Sequence, residues 1–112
     1  MSKNAETLVQ DKVIKYLKQL QLSGHPLIYE RRQAGGLAGN EGAPDLWACY
    51  NGIHIEIEMK VIGGVPSPKQ ESFERKCRNF GILYIRPMTY KEAVDFFEKE
   101  LIPAIRGRGT NE

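Results

Sequence analysis

At 112 residues the chain is sized for one domain with a real core and little left over for a second. Hydrophobic content of 41% and charged content of 27% are ordinary for a globular protein. The net charge of +2, from 16 basic and 14 acidic residues, excludes bulk attraction to a polyanion, so affinity for nucleic acid has to come from local clusters.

The opening MSKNAETLVQDKV lacks the apolar run of a secretory signal, and no stretch is apolar enough to span a bilayer; a cytoplasmic protein without membrane contact is expected. From about Asn4 to Gln21, Val9, Val13, Tyr16, Leu17 and Leu20 recur at helical spacing, and Ser23, Gly24 and Pro26 stop the helix. Glu6 falls on or beside that apolar stripe. It either complements the helix dipole or aims a carboxylate inward.

Leu27 to Gln33 is a short strand candidate ending in two arginines. Gln33 to Ala43, with Gly35, Gly36, Gly39 and Gly42 and no apolar periodicity, reads as a mobile loop. No Gly-Lys-Ser/Thr follows GGLAGNEG, so no nucleotide cofactor is expected. Pro44 to Tyr50 is a second strand, and Asn51-Gly52 is a type I′ hairpin signal leading into a third, Gly52 to Lys60. With a period of two, that third strand sends Ile53, Ile55, Ile57 and Met59 to one side. His54, Glu56, Glu58 and Lys60 go to the other.

After a second glycine loop, Ser67, Pro68 and Gln70 form a capping box, opening a helix that carries Phe73, Cys77 and Phe80 on one side and stops at Gly81. Ile82 to Arg86 is a fourth strand, apolar throughout and therefore expected to be central or covered on both faces. Thr89 and Glu92 repeat the capping-box spacing and open a last helix through Val94, Phe97 and Leu101, ended near Pro103. Residues 1–105 thus form one domain and 106–112 a disordered tail. The order of helix, three strands, helix, strand and helix gives a mixed α/β domain. Cys49 and Cys77 have no metal-ligand spacing and read as buried free thiols, and His25 and His54 as structural.

The hairpin places Asp45 beside Glu58, and Lys60 stands roughly 7 Å from Glu58 on the same strand face. Two carboxylates on neighbouring strands suit Mg²⁺, which prefers hard oxygen ligands and keeps several waters; the Met59 carbonyl supplies a further oxygen. Lys60 adds a positive donor near an attacking water. The competing reading is an exposed cross-strand ion pair, which contributes under about 1 kcal/mol and has no functional meaning.

Together, Glu6 in the first helix, Gly42-Ala43-Pro44-Asp45-Leu46 as GxPDL, Glu58-Met59-Lys60 as ExK and Gln70 after a glycine-rich turn resemble the PD-(D/E)xK nuclease superfamily. Within it, the match is to the virus-type replication-repair nuclease family, VRR-NUC, in a small viral or prophage form. The resemblance covers about Glu6 to Glu98. It implies a restriction-endonuclease-like αβββαβ core, a mixed central sheet flanked by helices and a C-terminal helix. It also implies that Asp45 and Glu58 bind Mg²⁺ or Mn²⁺, that Lys60 positions or activates water, and that Gln70 and Glu6 complete the site. Glu56 makes the motif ExExK, and the spacing to Lys60 favours Glu58 as the ligand. Members often carry Asn-Ser-Gly after the first strand, where this chain has Arg32, Gln33, Ala34, Gly35 and Gly36.

Arg31, Arg32, Lys69, Arg75, Lys76, Arg78 and Arg86 flank this site and are candidate DNA-phosphate contacts. Small members of the superfamily resemble Holliday-junction resolvases, which implies a homodimer acting on branched DNA in replication, recombination or repair, in a bacterial or phage-infected cell. The alternatives are a flap-type or other structure-selective nuclease, a catalytically silent DNA-binding module of the same fold, and a structural α/β protein with ion-paired surfaces.

Overall fold

Helix α1 (Ala5–Leu22) forms where the apolar spacing places it, with Val13, Tyr16 and Leu17 buried and Val9 and Leu20 packed against the same core. Gly24 (φ +96°) ends it: the Gly24 and His25 amides donate back to the Gln21 and Leu20 carbonyls, as in a Schellman cap. The structure is a computed structural model that describes residues 5–32, 41–60 and 63–109. The glycine-rich loop predicted over 33–43 lies outside the described residues as far as position 40. None of the helices described is long and apolar enough to cross a membrane.

Four strands follow in the order β1-β2-β3-β4: β1 (Leu27–Arg31), β2 (Leu46–Tyr50), β3 (Ile53–Ile57) and β4 (Leu83–Ile85). The first three are antiparallel neighbours, and β4 runs parallel to β3, so the sheet is mixed. Asn51 (φ 51°) and Gly52 (φ +84°) both take the left-handed conformation that a type I′ turn requires. That turn fixes the register Leu46↔Ile57 and Trp47↔Glu56, which brings Asp45 to the end of the ladder opposite Glu58.

One face of the sheet, with Leu27, Leu46, Ala48, Tyr50, Ile55 and Ile57, packs on α1 and the C-terminal helices. Helix α2 (Pro68–Asn79) packs on β4. Its start is the predicted capping box, with Ser67 and Gln70 bonded reciprocally, and Gly81 (φ +76°) closes it in another Schellman arrangement. Cys77 is buried on it, but Phe80 is exposed, because the cap turns the chain away before that side chain reaches the core. Both cysteines are free.

One expectation is narrowed and another corrected. Strand β4 is an edge strand and not a central one, but it is covered on both faces as its apolar run implies: Tyr84 is buried on one side and Ile85 packs against the core on the other, while Leu83 is partly exposed. The last helix does not end near Pro103. Helix α3 (Tyr90–Asp95) passes through a π-helical turn (Phe96–Leu101), where the Ile102 amide donates to the Phe97 carbonyl five residues back, into α4 (Ile102–Gly109). The wider turn lies where proline cannot supply an ordinary helical donor. Leu101, Ile102 and Ile105 anchor this extension to the core, so the segment predicted to be a tail from 106 is helical as far as Gly109.

Candidate active site

The site begins with a glycine. Gly42 has φ +87°, and a Cβ built there comes within 2.2 Å of the Lys69 carbonyl oxygen and 2.8 Å of the Gln70 nitrogen. Only glycine lets this loop lie directly on the first turn of α2. Pro44 follows, fully buried, and Asp45 then stands exposed at the mouth of the β2–β3 ladder.

A second device holds the loop from the other side. The Arg32 amide donates to the Asp45 carbonyl at 2.6 Å, and its guanidinium donates to the Pro44 carbonyl at 2.7 Å. The same guanidinium makes two bonds to Glu56, at 2.6 and 2.8 Å, and Glu56 is only 3% exposed. His54 bonds to the same carboxylate and stacks on Trp47. The Glu56 hydrogen bonds raise the Arg32 pKa above its ordinary value, against the lowering effect of burial. Arg32 therefore clasps both main-chain groups that set the direction of Asp45.

Beyond β3 the ladder continues, with the Glu58 amide donating to the Ile85 carbonyl and the Lys60 amide to the Pro87 carbonyl. Alternation thus keeps Glu56, Glu58 and Lys60 on one face, while Met59 is buried on the other. The Gln70 amide ties the face together. Its Oε1 accepts from Lys60 Nζ at 3.1 Å and from the Ser67 amide at 2.8 Å, and its Nε2 donates to Glu58 Oε1 at 3.3 Å. One side chain caps α2 and bridges the lysine and the carboxylate of ExK.

Burial is the largest influence on Glu58 and pushes its pKa up to about 7; Lys60 opposes this, Asp45 and Glu6 add to it, and Arg86 opposes it. Asp45, Glu6 and Lys60, from the turn before β2, the first turn of α1 and the segment after β3, thus all act on one carboxylate. An acidic site with a partly desolvated carboxylate has an unmet need for positive charge. Among the described residues no three His, Cys, Asp or Glu side chains cluster closely enough to hold a metal by themselves. The Asp45–Glu58 pair with water nonetheless fits Mg²⁺, which is commonly held by one or two carboxylates.

The structure therefore brings Glu6, Asp45, Glu58, Lys60 and Gln70 to one place. Of the candidate DNA contacts, Lys69 and Arg75 are exposed on α2. Arg31 pairs with Asp11 at 2.7 Å, and Arg86 lies 3.5 Å from Glu74. Arg32 is corrected outright: it is spent on Glu56 and Pro44 and is not a free phosphate contact. Glu56, set aside in favour of Glu58 as the ligand, and His54, read as structural, are both part of that clasp. A groove of about 700 Å³, lined by Leu8, Asp11, Lys12, Lys15, Tyr29 and Arg31 among others, runs between α1 and β1 and includes neither Asp45 nor Glu58.

Sheet order and flanking helices define a mixed α/β domain, with a four-stranded mixed sheet and the Gly42–Asp45 turn beside Glu58 and Lys60. The fold is similar to that of a solved structure described as a VRR_NUC domain, which aligns with a TM-score of 0.71, covering 88% of this chain and 99% of the other. Identity is 20%, so the likeness is one of fold. No protein-family model and no curated protein matches the chain.

Proposed function

We propose that the chain is a divalent-metal-dependent nuclease of the PD-(D/E)xK type that hydrolyses DNA phosphodiesters. The observation that carries this reading is the convergence of Asp45, Glu58, Lys60 and Gln70 at one end of the sheet, within a VRR_NUC fold. Asp45 and Glu58, with the Met59 carbonyl, would hold Mg²⁺ or Mn²⁺, which supplies Lewis-acid stabilisation of the crowded phosphate and a more acidic water. Lys60, held 3.1 Å from the Gln70 oxygen, presents its ammonium beside that position and stabilises the extra negative charge as water attacks phosphorus and the P–O bond to the leaving oxygen breaks. Glu6, on the rim, is placed to accept a proton or to order a water.

Lys69, Arg75 and Lys76 are exposed on α2, the helix that supplies Gln70, and suit a phosphate backbone, while Arg78 is paired with Glu74. We infer a homodimer whose two sites face two strands of branched DNA, with Holliday junctions as the preferred form. The test is incubation with labelled four-way, flap, nicked and single-stranded DNA, with and without Mg²⁺. Symmetric cuts across the four-way junction are expected. Cleavage confined to flaps would replace the junction reading, and salt-sensitive binding indifferent to Mg²⁺, without cleavage, would replace the nuclease reading with a binding module.

A further inference from the structure

Tyr84 stands on β4 directly opposite Glu56 on β3, and the ladder continues one step to Glu58, whose amide bonds the Ile85 carbonyl. Paired residues in a parallel ladder share a face, so the tyrosine ring lies on the side of the sheet that carries Glu56 and Glu58. The residue is 6% exposed. Its hydroxyl is buried and has no hydrogen-bond partner among the described residues.

Packing does not explain that hydroxyl. A phenylalanine fills the same volume without desolvating a polar group, and buried tyrosine hydroxyls ordinarily find a partner. Three acidic side chains neighbour it. Glu56 is engaged by Arg32 and His54, and Glu74 by Arg78 and Arg86. Glu58 has one bond among the described residues, the 3.3 Å contact from Gln70, and of all charged groups it acts most strongly on the Tyr84 hydroxyl. Its carboxylate is the acceptor with capacity to spare.

We propose that Tyr84 is a positioning residue for Glu58: its hydroxyl, unpartnered in the metal-free chain, donates to the carboxylate when Glu58 turns to meet a divalent cation and fixes that orientation. The proposal rests on the nuclease reading above. Outer donors of this kind hold a ligating group in one rotamer, and losing one typically weakens metal binding by about 10- to 100-fold. Nothing else is asked of Tyr84, which touches neither substrate nor metal.

The experiment is calorimetric titration of the full chain with Mn²⁺, in the absence of DNA, for the wild type and for Tyr84→Phe, alongside thermal unfolding of both without metal. The substitution leaves the ring in place, so the metal-free midpoint is expected to hold or rise while Mn²⁺ affinity falls by about 10- to 100-fold. Equal Mn²⁺ affinity in the two proteins overturns the role of Tyr84 and leaves the nuclease reading standing. A metal-free midpoint that drops, with affinity unchanged, overturns it equally, by showing that the hydroxyl serves the fold. A wild-type chain that takes up no Mn²⁺ sinks the nuclease reading itself, and this proposal with it.

Discussion

Removing Arg32 tests how Asp45 is held. In Arg32→Ala the buried Glu56 carboxylate loses both guanidinium bonds, and the Pro44 carbonyl loses its donor. Stripping one partner from a buried ion pair costs about 3–5 kcal/mol, because a desolvated charge is left behind. Arg32 keeps 29% of its side-chain surface and is partly screened, so the lower end, about 3 kcal/mol, is the expected loss. For a domain of this size that corresponds to a fall in thermal midpoint of roughly 12 °C or more. Arg32→Met combined with Glu56→Leu removes the stranded charge and recovers most of the stability, since apolar replacement of a buried pair is often neutral. Cleavage in the double variant stays low, because the Pro44 carbonyl has lost the guanidinium that fixed the turn into Asp45. Urea and thermal unfolding measure the first effect, and Mg²⁺-dependent cleavage the second. A single variant within about 0.5 kcal/mol of wild type, or a double variant that regains cleavage along with stability, refutes the clasp.

Gly42→Ala forces a Cβ against the Lys69 carbonyl in a left-handed backbone; a stability loss of about 2 kcal/mol and at least tenfold slower cleavage are expected, and wild-type values for both would refute the contact. Gln70→Glu keeps an acceptor for the Ser67 cap but sets a negative charge where Nε2 donated to Glu58, so folding should persist while cleavage drops and its pH midpoint moves upward. An unmoved pH profile would make Gln70 only a cap. Glu58 itself has a folded pKa raised from 4.5 to about 7, so its contribution to metal-free stability is complete below pH 4.5 and is lost as pH rises through about 7. Metal binding needs the ionised form, so Mn²⁺ affinity should climb about tenfold per pH unit below 7 and level off above it; a flat affinity between pH 5.5 and 7 would contradict the burial of Glu58.

What short-range chemistry dictates was legible in the sequence. Asn51-Gly52 determined the hairpin and its register, and through it the approach of Asp45 to Glu58; Ser67-Pro68-Gln70 determined the start of α2. The Val13, Tyr16 and Leu17 stripe of α1 needed only a period of 3.6. What depended on distant partners was not legible. Alternation put Glu56 on the ionic face correctly, but its burial depends on Arg32, 24 residues away, a pairing that no local pattern announces. The glycine of GxPD was visible as a motif, while its reason, the Lys69 carbonyl, belongs to another element. Pro103 read as a stop because the π-helical turn that accommodates it has no sequence signature of its own.

The central claim is that Asp45, Glu58 and Lys60 form a metal-dependent hydrolytic site. It is tested most directly by cleavage of a labelled four-way junction by the wild type and by Asp45→Asn, Glu58→Gln and Lys60→Ala, each confirmed as folded by its unfolding midpoint, with Mg²⁺ and with chelator. Cleavage by the wild type only when Mg²⁺ is present, and at least a hundredfold loss in each variant with DNA binding retained, is the predicted result. Cleavage that survives any of the three substitutions, or that proceeds in chelator, would contradict it.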